Sequence, residues 1–385
     1  MIYLDSNATS QVDPQVVDAM LPFLRDGFFN PSASYRPARQ VAKAVEAGRE
    51  QVAALLGAGA EEIVFTSGGT EADNTAIAAA QMFWPQRRHL VVGATEHPAV
   101  LEPARRWQAG GGTITVAPVL RDGRIDLEAL RAAVRPGETA LVSVMWGNNE
   151  TGVVHPVEAI GHIAHEAGAL MHTDAVQAVG KLQICLSSLP VDFLSLSGHK
   201  FHAPKGIGAL YVSRRARFQP LLLGGGQEKG RRSSTENVPG IVALGAAAAL
   251  AAADHPQVKT MRDAFEARVR KALPGVTLNG HPAERLANTS NLHFPGLSAV
   301  EMLILLDDRG VCCAAGSACH TANVHPSPVL EAMGFSAEHA AASLRFSFSR
   351  FNTPAEADEA ADAVIAVATK LRALKSDDEG PVQLS

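Results

Sequence analysis

The chain has 385 residues, 46% hydrophobic and 19% charged, with a formal net charge of −5. That is the composition of an ordinary globular protein, long enough for two domains. The charge is too small for a broad nucleic-acid or anionic-membrane footprint, and no apolar run reaches the about 20 residues of a spanning helix. Four cysteines, Cys185, Cys312, Cys313 and Cys319, are too few for a disulfide scaffold. A cytoplasmic enzyme, with no nucleic-acid or membrane partner, is the expectation.

The N-terminal MIYLDSNATS lacks a basic start and a long apolar run. It reads as a short strand and a turn, not a signal peptide. Residues 37–56 place Val41, Val45, Val52, Leu55 and Leu56 at helical spacing and stop at Gly57. Buried-strand candidates follow at 63–65, 90–92, 113–116, 140–145, 169–172, 193–196 and 208–212, with helical stretches such as 156–167 between several of them. Strand and helix in alternation imply α/β architecture, a mostly parallel sheet covered on both faces. Composition changes near Asp254-His255-Pro256, after an Ala-rich run. Beyond it the expected order is helix 258–272, strand 289–294, helix 299–309, strand 311–314, strand 343–348 and helix 356–374, a smaller α+β domain. The polar tail after Lys375 is expected to fray.

Six segments carry candidate chemistry. Thr66-Ser67-Gly68-Gly69-Thr70-Glu71 follows a strand and opens a helix, where free N–H groups and close backbone approach suit a phosphate. It also fits a plain strand–helix turn with Thr70 as N-cap. It is not a Walker loop, because no lysine follows the glycines. Asp174 falls at the C-terminal end of a buried strand, the ligand edge of open α/β sheets. A carboxylate there needs a cationic partner, for which a protonated pyridine nitrogen serves. Gln177, three residues on, is placed to reach a ring oxygen; a plain helix N-cap is the other meaning of Asp174.

Lys200 in Ser195-Leu196-Ser197-Gly198-His199-Lys200 lies just past an apolar strand, where a lysine charge is disfavoured and its amine is available to attack an aldehyde. Ser197 and His199 flank it as phosphate donors. A surface lysine after a strand is the commoner meaning of a lone Lys, but the spacing from Asp174 weighs against it. His97 at a strand end suits ring stacking or proton transfer, or a structural role. Cys319 sits in the small-residue run 314–322, exposed and beside His320, as a nucleophilic thiol requires; an idle free thiol is the alternative. Cys312 and Cys313 read as small core residues and Cys185 as structural. No metal site is expected, because adjacent strand residues face opposite ways. Arg345, inside an apolar run, needs an anion: a substrate carboxylate or an internal salt bridge.

Together these residues resemble the cysteine desulfurases, aminotransferase-like enzymes of pyridoxal-phosphate fold type I. The segments TSGGTEADN, EHPAVL, SVMWGNNETGVVHP, HTDAVQAVGK, LSLSGHKFHAPKGIGALYV, RRSSTEN, GSAC and RFSFSRF carry the resemblance from Tyr3 to about Leu374. MWGNNETG, HTDAVQAVGK and HKFHAPKG are most similar to the nitrogen-fixation type. The resemblance implies a mostly parallel seven-stranded sheet in a large domain, 15–255, and a small domain, 1–14 with 256–385, carrying the cysteine loop. It implies pyridoxal 5′-phosphate bound as a Schiff base on Lys200, with Asp174 on the pyridine nitrogen, Gln177 on the ring oxygen and His97 stacked on the ring. Gly69, Thr70, Ser197 and His199 would hold the phosphate, with Thr235 reaching that of a partner subunit in a homodimer. Asn149 would contact cofactor and substrate, and Arg345 the substrate carboxylate.

The implied reaction converts L-cysteine to L-alanine. Lys200 serves as base, His97 as proton relay and Cys319 as sulfur acceptor. Its persulfide passes to an iron–sulfur scaffold or another acceptor protein and contacts a cluster only in transit. Departures fall around the cysteine, where Ala-Ala-Gly-Ser-Ala-Cys-His-Thr replaces the family's Ser-Ser-Gly-Ser-Ala-Cys-Thr-Ser, and at residues 33–38. A selenocysteine lyase or another fold-type-I enzyme shares the frame. A sulfur-relay protein without catalysis predicts a broken lysine or aspartate, and both are intact.

Overall fold

The computed structural model describes residues 1–251, 255–316 and 327–378. The first strand, β1 (Ile2–Tyr3), is followed by helices α1 (Pro14–Arg25) and α2 (Arg36–Leu56). The central part runs β2 (Ile63–Thr66), α3 (Gly69–Phe83), β3 (His89–Gly93), α4 (Pro98–Ala109), β4 (Thr113–Ala117), α5 (Leu127–Ala133), β5 (Thr139–Ser143), α6 (Val157–Glu166), β6 (Leu170–Asp174), β7 (Phe193–Ser197), β8 (Gly208–Val212) and α7 (Val238–Ala251). The last part runs α8 (Pro256–Ala272), β9 (Thr277–Leu278), β10 (Thr289–His293), α9 (Ala299–Asp307), β11 (Val311–Cys312), α10 (Pro328–Ala332), α11 (Ala337–Ala341), β12 (Ser343–Ser347) and α12 (Pro354–Asp378).

Strands β2 to β8 form one sheet in the order β2-β8-β7-β6-β5-β3-β4. Only β8 runs against its neighbours, so β2, β6 and β7 share one direction. Their C-terminal ends therefore open on one edge of the sheet, which brings together the turn after Thr66, Asp174 and the turn after Ser197. Side-chain alternation explains why both faces are apolar. Val91 joins the core beneath α2, α6 and α7, while Leu90 and Val92 join the core beneath α3 and α4. Each fully buried aliphatic side chain of this kind contributes about 1.5–3 kcal/mol.

A separate core unites Ile2 and Leu4 with Phe265 on α8, Leu292 on β10, Phe346 on β12 and Val364 on α12. The N-terminal strand thus belongs with the C-terminal elements, where β1 pairs in parallel with β11. Helix α2 stops at Gly57, whose φ of 60° suits glycine, with its N–H on the carbonyls of Ala53 and Ala54. The described part of the Ala-rich run, residues 246–251, lies in α7, a largely buried helix. No single described helix is long and apolar enough to cross a membrane.

One cysteine departs from expectation. Cys185 is exposed, with Sγ 3.3 Å from Ser187 Oγ. Leu182 and Ile184 pack toward the core, while Gln183 and Cys185 are exposed. Cys312 and Cys313 are half-buried, and Cys313 packs against the core of the C-terminal part.

Candidate active site

The site is assembled from the three strand ends. At β2, Gly68 stands at the N-cap of α3 with φ 159°, and Gly69 begins the helix. Thr70 is therefore not the N-cap. It lies exposed in the first turn of α3. A Cβ on Gly69 would sit 2.6 Å from Val176 Cγ2, so the α3 N-terminus closes onto the segment after Asp174 only because this residue is glycine. Glu71 closes the turn on itself. It accepts the Ser67 N–H (2.8 Å) and a two-pronged bond from Arg232 (2.8 and 3.0 Å).

At β6, Asp174 is buried and accepts the Val176 N–H (2.9 Å), so it caps a turn rather than a helix. Burial, reinforced by the Asp73 carboxyl, pushes its pKa up to about 7, against the pull of Val176, His97 and His172. A carboxylate placed at such cost calls for a cation directly above it. Beneath it lies a polar cluster in which His172 bonds Ser143 Oγ (2.8 Å) and Ser195 Oγ (3.0 Å) and stands 3.5 Å from Asp73. Burial pushes His172 down to about 4, so it is neutral, and pushes Asp73 up to about 7. Glu96 is driven well above the carboxylate range by burial, with Asp174 and Asp73 adding to it. Its Oε1 accepts the Met145 N–H (2.6 Å).

At β7, a single helical turn, Gly198–Lys200, projects the lysine back across the sheet edge. Lys200 Nζ donates to the carbonyls of Asn7 (2.7 Å) and Ala8 (2.8 Å). His199 bonds Thr9 Oγ1 (3.1 Å). Burial and the charges of Lys200, Lys205 and Lys181 push it down to about 4, leaving a neutral ring. His97 is exposed and heads α4, its Nδ1 accepting the Ala99 N–H (3.1 Å), which leaves the proton on Nε2. Desolvation of the imidazole against the site lowers its pKa, Asp174 raises it and Lys200 lowers it, so the three groups share one electrostatic neighbourhood.

Asn7, on the chain just after β1, ties these pieces together. Its carbonyl accepts from Lys200 Nζ and from Gln177 Nε2 (2.9 Å). Its side chain donates to Thr289 Oγ1 (2.9 Å) and to the Asn149 carbonyl (3.1 Å). Arg345 reaches the same Asn149 carbonyl (3.0 Å) and is ion-paired with Asp5 (2.5 Å), so the internal salt bridge is present. Its Nε is buried and has no partner among the described residues. Thr235 is exposed, and no hydrogen bond among the described residues joins it to Thr70, Ser197 or His199. Cys319 and its neighbour His320 lie outside the described residues.

A family model described as aminotransferase class-V matches residues 2–359. The chain belongs to the class-V aminotransferase family. Its relatives include a cysteine desulfurase of Trichormus azollae, 46% identical over 393 residues that cover 100% of this chain and 97% of the relative. They also include the cysteine desulfurase NifS of Azotobacter vinelandii, 43% identical over 99% of this chain and 96% of the relative. A solved structure titled SspA in complex with cysteine superposes with a TM-score of 0.81 at 34% identity, covering 92% of this chain and 100% of that one. The fold of this class-V aminotransferase is of fold type I.

Three of its site-building residues lie in segments that carry the resemblance but are not singled out by their own chemistry. Asn7 lies in a short turn with no periodicity. Asp73 on α3 is buried and Lys181 meets Gln177 and Asn7, placements that come from the fold.

Proposed function

We propose that the protein is a pyridoxal-phosphate-dependent cysteine desulfurase that converts L-cysteine to L-alanine and hands the sulfur, through Cys319, to an acceptor protein for iron–sulfur cluster assembly of the nitrogen-fixation kind. The observation that carries the reading is the convergence of Lys200, Asp174 and the Gly68-Gly69 turn on one sheet edge, in a chain 46% identical over its full length to a cysteine desulfurase.

The donor set fits the cofactor. A buried carboxylate raised to about 7 suits a protonated pyridine nitrogen, a glycine-built helix N-terminus suits a phosphate, and a primary amine stands at hand. When bound, pyridoxal phosphate supplies the electron sink that makes the Cα proton of an amino acid removable and its Cβ–S bond cleavable. The rest falls to this chain. Asp174 would hold the positive charge of the pyridine nitrogen, and Gln177 would donate to the ring oxygen. The His97 imidazole would stack on the ring and relay a proton from Nε2. Gly69, Thr70, Ser197 and His199 would hold the phosphate, and Thr235 would reach the phosphate of a second copy in a homodimer. Arg345, through its Nε, which has no partner among the described residues, and the Asn149 side chain would orient the substrate carboxylate. Lys200 would be the covalent anchor of the cofactor, and its freed amine would take the Cα proton. The Cys319 thiolate accepts the sulfur. The domain division runs 15–255 against 1–14 with 256–385.

Borohydride reduction followed by peptide mass spectrometry tests the assignment. Cofactor fixed to the Lys200 peptide, and absent from a Lys200→Ala variant, supports it. Attachment to any other lysine contradicts it.

A further inference from the structure

A second lysine stands beside the first. Lys181 Nζ donates to Gln177 Oε1 (2.7 Å) and reaches Asn7 Oδ1 (3.3 Å). Lys200 and Gln177 both use the backbone carbonyl of that same Asn7. Lys181 and Lys200 also line one cavity of about 840 Å³ between the two parts of the molecule, with Ser6, His202, Asn288 and Arg350 around them and no Asp or Glu among the described lining residues.

This arrangement settles the direction of an amide. A Gln side chain offers one acceptor and two donors, and a flip exchanges them. Asn7 O is acceptor-only and Lys181 is donor-only, so the Gln177 oxygen must face Lys181 and its NH₂ must face Asn7. One N–H is committed to Asn7, and the other is left for the cofactor side. Turned over, the amide would present an oxygen to an oxygen.

We infer that Lys181 is a positioning residue of the site, which locks the Gln177 NH₂ toward the cofactor and sets a second positive charge beside Lys200. The inference rests on the cofactor reading above. A neighbouring cation disfavours the protonated form of an amine, so Lys181 keeps Lys200 available to react. The charged and titratable groups facing Lys181 are Lys200, His199 and His202 from the turn after β7, Arg345 on β12 and Arg350 beyond it. Burial first, then Lys200 and Arg345, lower the Lys181 pKa to about 7, so its charge beside Lys200 is present below about pH 7 and fades above it.

The test titrates the visible band of the cofactor-loaded enzyme against pH in wild type, Lys181→Met and Lys181→Arg. The Met variant should shift the midpoint up by about one pH unit, a roughly tenfold change, and lower kcat more than KM rises, while Arg restores the wild-type midpoint. A wild-type midpoint in a folded Met variant overturns the inference. If Lys181→Met does not fold, Lys181→Gln removes the charge at similar length and must show the same shift, and an unshifted midpoint again overturns it. Acetylation of the cofactor-free full chain, followed by mass spectrometry against pH, reports on Lys200 without the cofactor. Lys200 should need a more alkaline pH in the uncharged variants. Such a shift in a protein that binds no cofactor would overturn the cofactor reading alone.

Discussion

Removing Glu228 should unfasten the loop that carries Thr235. The Glu228 carboxylate is buried and accepts three bonds, two from Arg49 (2.7 and 2.8 Å) and one from the Phe65 N–H (3.0 Å). Both partners of the ion pair have side chains only 4% exposed, so neither is compensated by water. In Glu228→Ala, Arg49 keeps Ile63 O (3.0 Å) and the outlying Glu46 (3.2 Å) but loses its principal counter-charge, and Phe65 N–H loses its acceptor. Stranding one half of a buried pair costs about 3–5 kcal/mol. For a domain of this size that lowers the melting midpoint by roughly 10 °C. Glu228 and Lys229, with φ values of 51° and 60°, and Ser234, with 125°, shape the same loop, so cofactor affinity should fall as well. Calorimetry of the single variants and of Arg49→Met/Glu228→Leu gives the discriminating result. The double variant should recover part of the loss, because a matched apolar pair strands no charge. A loss below about 1 kcal/mol in Glu228→Ala, or a double variant worse than the sum of the singles, would refute the reasoning.

Gly69→Ala should keep the fold and weaken cofactor binding by about tenfold or more, because its methyl meets Val176 at 2.6 Å; dialysis with absorbance readout measures this, and unchanged affinity contradicts the cradle. Asp174→Asn should retain cofactor yet lose about a hundredfold or more in kcat, since a neutral amide cannot hold the ring nitrogen's charge; steady-state kinetics on loaded protein decides it. Asp73 is raised in the folded state, so its neutral form stabilises the fold below about pH 4 and that contribution is lost as pH rises to about 7. In the cofactor-free protein, Asp73→Asn should therefore gain on wild type in urea midpoint from pH 5 to pH 8, and parallel pH profiles would show that the aspartate is not buried as described.

The sheet was legible because its strands are continuous apolar runs broken by glycine turns, and the strand ends at Thr66, Asp174 and Ser197 follow directly from them. Helix α1 was not anticipated. It has Pro22 inside it and only Val16 buried, so the apolar stripe that signals a helix is thin. The short strand β9 and helices α10 and α11 are too brief to show a period. At the site, Lys200, Asp174 and Gly69 stood out because their chemistry is abnormal for their positions. Asn7, Asp73 and Lys181 did not, because their importance comes from contacts across 170 or more residues, as in the Gln177–Asn7 bond, or from burial that local pattern does not report. Arg345 left two readings open in the sequence, and the structure contains the ion pair with Asp5 while Nε has no partner among the described residues.

The central claim concerns where the sulfur of L-cysteine goes. Loaded protein mixed with a limiting amount of L-cysteine, without added thiol, should yield alanine in equal amount and gain sulfur at Cys319, seen by intact-mass and peptide mass spectrometry and lost in Cys319→Ser. Alanine formation with no sulfur on Cys319, or consumption of cysteine without alanine, would contradict the account.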